Sequence, residues 1–344
     1  MVSNLLPVAA LAGAAMAACP LSVEVTGATG HVAHVAVTNT ASEPITVFRG
    51  NTVFSEHATK DLLVSDVSGK ALPFEGSFVK YKKNGIAAEM FQTIQPGETV
   101  TASVNAATTY KLAGVQKAHV SAIQGFHYVT GSTAPSSLSE TEFCEATSNT
   151  VSIVPDQAKV AAEHLTARSE LSSEGFNSRI QKRSVKYSSC SSSQTSSLQT
   201  SVSDAISLAS KAYTAAGAGS YYFTTWFKST SVKSKVQSIY KSVTGVQTTS
   251  PTISCVDSYS GCGDGSALLY TIPSANVIVP CPNNGYWDFP ELASTCTDDD
   301  YDKAGSILHE MTHLVSVFFV FVFFFRIPEQ TPFFPLYAVT FSLS

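Results

Sequence analysis

Residues 306–314 read Ser-Ile-Leu-His-Glu-Met-Thr-His-Leu. On a helix, positions i and i+4 stack on one face, so His309 and His313 can turn ring nitrogens toward the same ion, and two imidazoles suit Zn2+. Glu310 follows the first histidine and sits beside the pair. There it can take a proton from a zinc-bound water, whose pKa the metal lowers from 15.7 to about 7. The predicted chemistry is hydrolysis by a zinc-bound water nucleophile, with one zinc per chain and Glu310 as general base.

Such a site needs a rigid helix, and the flanking residues supply one from Asp298 to Leu314. Asp298, Asp299, Asp300 and Asp302 crowd its start, where carboxylates favour the positive end of the helix dipole. Ile307, Leu308, Met311 and Leu314 form an apolar stripe that would seat it on a core.

The whole chain sets the frame for this helix. With 344 residues, 44% hydrophobic and 14% charged, it can bury ample core and is expected to form two domains. A net charge of -5, without clustered Lys and Arg, excludes nucleic acid as a partner. Leu5 to Ala17 is an apolar run ending in Ala15-Met16-Ala17, so residues 1–18 read as a secretory signal peptide and the product as extracellular. Cysteines should then pair. There are seven, at 19, 144, 190, 255, 262, 281 and 296, and none has the C-x-x-C spacing of a zinc ribbon.

From Leu21 to about Val129, short alternating apolar runs separated by turn residues predict an antiparallel β-sandwich, with Val79 to Tyr81 among its strands. His31 and His34 read as structural. A short helix is expected over Pro155–Ser173, followed by polar linker. It ends at Lys182-Arg183, a pair of the kind that kexin-like processing proteases cut in exposed loops. Residues 19–183 would then be a propeptide. Beyond it, apolar spacing of three and four predicts helices over Leu198–Ala216 and Tyr221–Val243. Ile253–Cys255, Ala267–Ile272 and Asn276–Val279 read as a small sheet whose edge could hold an extended substrate. The fold class is therefore α+β: an N-terminal sandwich-like pro-domain, then a mainly helical zincin-like domain at 184–314 with a small sheet.

The order of these features resembles the deuterolysins, fungal secreted neutral zinc proteases of the aspzincin group, over almost all of residues 1–314. The features are the signal, the β-rich region, Lys182-Arg183, Cys190, two helices, Cys255 and Cys262 about a Gly-rich turn, Leu-Tyr-Thr-Ile-Pro at 269–273, Cys281, Cys296 and His309-Glu310-x-x-His313. The resemblance implies a secreted zinc metalloendopeptidase precursor that acts on protein or peptide substrates, basic proteins above all, and is expected as a monomer. It implies His309 and His313 as zinc ligands, Glu310 as base, and disulfides Cys190–Cys255 and Cys262–Cys281. It also places Tyr286 near a tyrosine proposed in that family to assist the tetrahedral intermediate.

The chain departs from the pattern after Leu314. The third ligand of that group is an Asp in a downstream G-T-x-D-x-x-Y-G segment, and residues 315–344 contain no Asp, His or Cys, with Glu329 the single carboxylate. The apolar run to Phe325 falls short of the roughly 20 residues that span a membrane. We read 315–344 as an aberrant tail of translated intron, because Val315-Ser316 is what a splice-donor consensus encodes in frame. If Cys19 pairs with Cys144, Cys296 is left over, and the resemblance puts its partner in the missing segment. The alternative function is an inactive truncated form, or a pseudoprotease acting as a secreted binding or inhibitory protein.

Overall fold

The computed structural model describes residues 19–163, 184–219, 223, 224, 227, 229–263, 265–294 and 301–316. The predicted signal peptide, Lys182-Arg183, Asp298 to Asp300, Cys296 and the tail beyond Ser316 lie outside these residues. The described architecture is α+β, with three sheets and helices against one of them.

The N-terminal region builds two antiparallel sheets around one apolar cluster. Strands β1 (Leu21–Thr29), β2 (Val32–Asn39) and β7 (Thr99–Asn105) form the first. Alternation decides its faces: Leu21, Val23 and Val25 point inward from β1, and Ala33, Val35 and Val37 from β2. The second sheet is organised on β8 (Ala118–Thr130), with β3 (Ile45–Phe48), β4 (Leu62–Asp66), β6 (Phe91–Ile94), β9 (Glu142–Thr147) and β10 (Val151–Ile153). A Cys19–Cys144 disulfide ties the start of β1 in the first sheet to β9 in the second. His31 is buried and its Nε2 lies 3.4 Å from Glu163, while His34 bonds Ser103 and Thr29 on the outer face. Of the predicted helix over Pro155–Ser173, residues 157–163 are described and helical.

One predicted sandwich strand goes elsewhere. β5 (Phe78–Tyr81) leaves the N-terminal sheets and closes the edge of the C-terminal one, in the order β11-β12-β14-β13-β5. Here β11 is Lys186–Ser188, β12 Thr252–Ser254, β13 Ala267–Ile272 and β14 Val277–Pro280. Period-two alternation fixes which side chains share a face but says nothing of which strand is the partner.

Among the described residues, one helix lies on β13 of that sheet and two others pack on that helix and on each other. α1 (Ser192–Ala218) starts two turns before the predicted Leu198, because Ser191 and Gln194 form a reciprocal capping box. The helix predicted over Tyr221–Val243 is broken: Phe223, Thr224 and Phe227 are helical, but Ser229 is extended and caps the turn Thr230–Val232 that leads into α2 (Lys233–Thr244). α3 (Lys303–Ser316) carries the histidines and starts at Lys303 rather than Asp298. Asp302 caps it, accepting bonds from Gly305 N at 2.5 Å and Ala293 N at 2.8 Å. Ile307, Leu308, Met311 and Leu314 are buried as the stripe requires, each contributing about 1.5–3 kcal/mol. Val315 joins the same core, so the ordered helix continues past the point where the sequence departs from the family pattern.

Candidate active site

α3 and β13 bring the chemistry together. His309 Nε2 and His313 Nε2 lie 3.1 Å apart, so the two rings converge on one point. Two nitrogens bound tetrahedrally to zinc at 2.0–2.1 Å would stand roughly 3.3 Å apart, so the pair fits as two ligands of one ion. Among the described residues, no group of three or more His, Cys, Asp and Glu side chains converges, so the complete ligand set is not found there.

Both imidazoles keep an accessible edge yet lie deep in the fold. Burial first, and then the neighbouring His313 and Lys80, hold His309 well below the ordinary histidine value. Burial, with the ammonium groups of Lys60 and Lys80, pushes His313 down to about 3. Neutral imidazole is the form that binds a metal. Glu310 is fully buried, and Thr271 Oγ1 donates to its Oε2 at 2.5 Å. Thr271 belongs to the Leu-Tyr-Thr-Ile-Pro segment on β13, so the sheet orients the carboxylate that α3 presents. The sequence reading missed this role; the signal available was a hydroxyl at an inward position of a strand expected to lie over the helix.

The strand from the N-terminal region also enters the site. The Phe78 ring stacks on His313 with centroids 4.2 Å apart and planes 5° from parallel. Lys80 Nζ donates to Ser306 Oγ at 3.3 Å and lies 5.2 Å from the centre of the Tyr301 ring.

Tyr286 is fully buried in the C-terminal core, edge-on to Trp287. Burial, with the charges of Glu291 and Asp302, raises its pKa, and the nearby Ser201 hydroxyl opposes this. These neighbours lie between α1 and the start of α3 rather than at the histidine pair. The other two disulfides are Cys190–Cys255, which ties the start of α1 to β12, and Cys262–Cys281. They are the pairs that the resemblance implies.

A buried His-Glu-x-x-His helix under a sheet edge, with two imidazoles converging on a point and a carboxylate held beside them, defines a metallopeptidase-type site. The deuterolysin metalloprotease (M35) family model matches residues 1–320. A neutral protease 2 homolog of Phaeosphaeria nodorum is 31% identical over 92% of this chain and 88% of its own length. Similar proteins of the same description from Sclerotinia sclerotiorum and Botryotinia fuckeliana are each 30% identical, over 85% and 90% of this chain and 78% and 86% of their own lengths. The chain belongs to the deuterolysin metalloprotease family. Among the described residues, no helix is long and apolar enough to cross a membrane.

Proposed function

We propose that the chain is the precursor of a secreted zinc endopeptidase that hydrolyses peptide bonds, with a preference for basic protein substrates. The observation that carries this is the converging pair of neutral imidazoles, 3.1 Å apart, beside a carboxylate fixed by Thr271. His309 and His313 would hold the ion. When bound, zinc would supply Lewis acidity and a lowered pKa for water. Glu310 accepts the proton that the water gives up and passes it to the leaving amine. Thr271 keeps Oε2 of that carboxylate in place while this happens. Cutting after Lys182-Arg183 by a kexin-like protease would separate residues 19–183 from a monomeric mature enzyme.

The test is zinc stoichiometry together with hydrolysis of an unstructured basic peptide. We expect one zinc per chain, and Glu310→Gln should retain zinc while losing at least a hundredfold in kcat. Zinc bound without hydrolysis, or hydrolysis unaffected by Glu310→Gln, overturns the reading. Tyr286→Phe settles the remaining candidate: a fall in kcat with zinc retained assigns the hydroxyl to the transition state, and an unchanged kcat assigns it to the core.

One observation favours a second reading, a secreted pseudoprotease with a binding or inhibitory role. It is the lack of a third donor beside His309 and His313 among the described residues, which follows the departure of residues 315–344 from the family pattern. Zinc lost at micromolar chelator, together with no hydrolysis, would select it. A spliced transcript that keeps the codons of Val315 to Ser344 as continuous coding sequence would rule out the intron origin of that segment.

A further inference from the structure

We propose that the segment Phe78–Tyr81, as an intramolecular strand antiparallel to Ala267–Ile272, fills the sheet edge already read as the seat of an extended substrate, and so keeps the site latent. The inference rests on the peptidase reading and adds to it the segment of this chain that would hold the site latent.

Four observations converge. First, the pairing is a true ladder: Phe78 faces Thr271, Val79 faces Tyr270, Lys80 faces Leu269 and Tyr81 faces Ala267, with a register shift between Ala267 and Leu269. Second, it continues beyond the strand at both ends, where Ser274 Oγ donates to Glu75 O at 3.2 Å and Lys82 N to Ser266 O at 2.8 Å. Bonds to the edge thus reach from Glu75 to Lys82, and within that stretch Phe78–Tyr81 is the regular strand that strand addition requires.

Third, the side chains that alternate toward α3 fall on the chemistry. Phe78, paired with the residue that holds Glu310, lies flat on the ring of His313. Lys80, two positions on, reaches Ser306 and Tyr301 at the start of the same helix. A free peptide with a flat or bulky apolar side chain and a lysine two residues later would meet the same surfaces. Fourth, nothing covalent holds this arrangement once the linker is cut. Among the described residues each disulfide lies wholly within one region, Cys19–Cys144 in the first and Cys190–Cys255 and Cys262–Cys281 in the second. After cleavage at Lys182-Arg183 the strand would leave by dissociation, and dilution or substrate would drive it off. While the linker is whole, tethering keeps the strand at an effective concentration of order mM and the edge stays filled.

The experiment is binding of a fluorescein-labelled hexapeptide with the sequence of residues 77–82, SFVKYK, to the intact zinc-loaded chain, read by anisotropy. The comparison is wild type against Val79→Pro with Lys80→Pro, in which the segment loses two adjacent N–H groups and cannot hold a regular strand against the ladder. We expect the variant to bind at least tenfold more tightly, and to hydrolyse a peptide substrate without cleavage after Arg183. Equal binding, or none by either chain, overturns the proposal. Tighter binding without hydrolysis upholds the edge assignment and counts against the peptidase reading. Equal hydrolysis by both chains with no gain in binding does the reverse. Should the proline variant lose its cooperative unfolding transition, Phe78→Ala with Lys80→Ala replaces it. That variant uncovers His313 while keeping the other face of the strand. A chelator should then strip zinc at least tenfold faster than from wild type, and an unchanged rate overturns the proposal.

Discussion

The cleft in front of the β13–β5 pair and the apolar cluster behind it are built from the same two strands in opposite ways. In front, Phe78, Lys80 and Thr271 meet α3 through one ring stack and two polar bonds. Behind, Val79, Tyr81, Ala267 and Tyr270 pack with Phe48, Ile86, Phe91 and the Cys262–Cys281 pair into a cluster that draws on both regions of the chain. Gly263 adds a close approach on the same side. A side chain there would come within 2.8 Å of His57, and its φ of +51° is one that glycine tolerates best. The difference teaches that grip and cover are separate. The strand is held from behind by apolar packing, and it screens the front by a few contacts that a ligand could replace.

The largest effect should follow from breaking the grip. Tyr81 is buried and stands edge-on to Phe48 with centroids 5.1 Å apart. Tyr81→Ala should lower the unfolding free energy of the intact chain by about 3–5 kcal/mol, read from urea melts. A loss below about 1 kcal/mol would mean that the cluster behind does not anchor the strand.

Thr271→Val comes next and acts in front. It removes a donor from a buried carboxylate, a change that costs about 1–3 kcal/mol. In the active enzyme it should lower kcat with little change in KM, and Thr271→Ser should restore it. If Thr271→Val leaves kcat unchanged, the contact does not position Glu310. Lys80→Met is smaller still. It trades a buried ammonium and its bond to Ser306 for an apolar chain of similar volume, and the stability change should stay within about 1.5 kcal/mol. A larger loss would place part of the grip in the cleft and blur the distinction between the two faces.

How much of this was legible in the sequence depended on how local the determinant was. The His309-Glu310-x-x-His313 helix and its apolar stripe are written within one segment, and so is the alternation of β1, β2 and β8. The start of α1 was also written there: Ser191 and Gln194 have capping-box spacing inside a run that looks like linker by composition. The partner of β5 was not legible. Val79 to Tyr81 alternates as any half-buried strand does, and its neighbour on β13 lies nearly two hundred positions away, as the Glu75–Ser274 separation of 199 shows. The Thr271–Glu310 contact fails for the same reason, since it is a product of where the sheet lands on the helix. Tyr286 had a sequence position near the expected tyrosine, but position along the chain did not fix its surroundings. It lies among Trp287, Ser201 and Glu291 in the helical core.

The smallest predicted effect is a control on the comparison, because it touches the helix without touching β5. Glu291 ties α1 to α3: its carboxylate accepts from Ser197 at 2.5 Å and Ser201 at 2.6 Å, and Lys303 Nζ lies 3.3 Å away. Burial pushes this carboxyl up, but the two hydroxyls and the ammonium outweigh it and leave its pKa below the ordinary value of 4.5. A depressed carboxyl pKa contributes stability that is present above the unfolded value and is lost as pH falls through the folded one. The site is partly exposed, so solvent screens it and the contribution should not exceed about 1 kcal/mol. Wild type should therefore exceed Glu291→Gln in stability by that margin at pH 6–7. The gap should begin to close below about pH 4.5 and vanish in stronger acid. Melting curves of both chains from pH 7 to pH 3 provide the measurement. Over the same range above pH 5, hydrogen exchange at Phe78–Tyr81 should be identical in the two. A variant that loosens β5 as well would show that α3, and not the cluster behind the sheet, holds the strand in place.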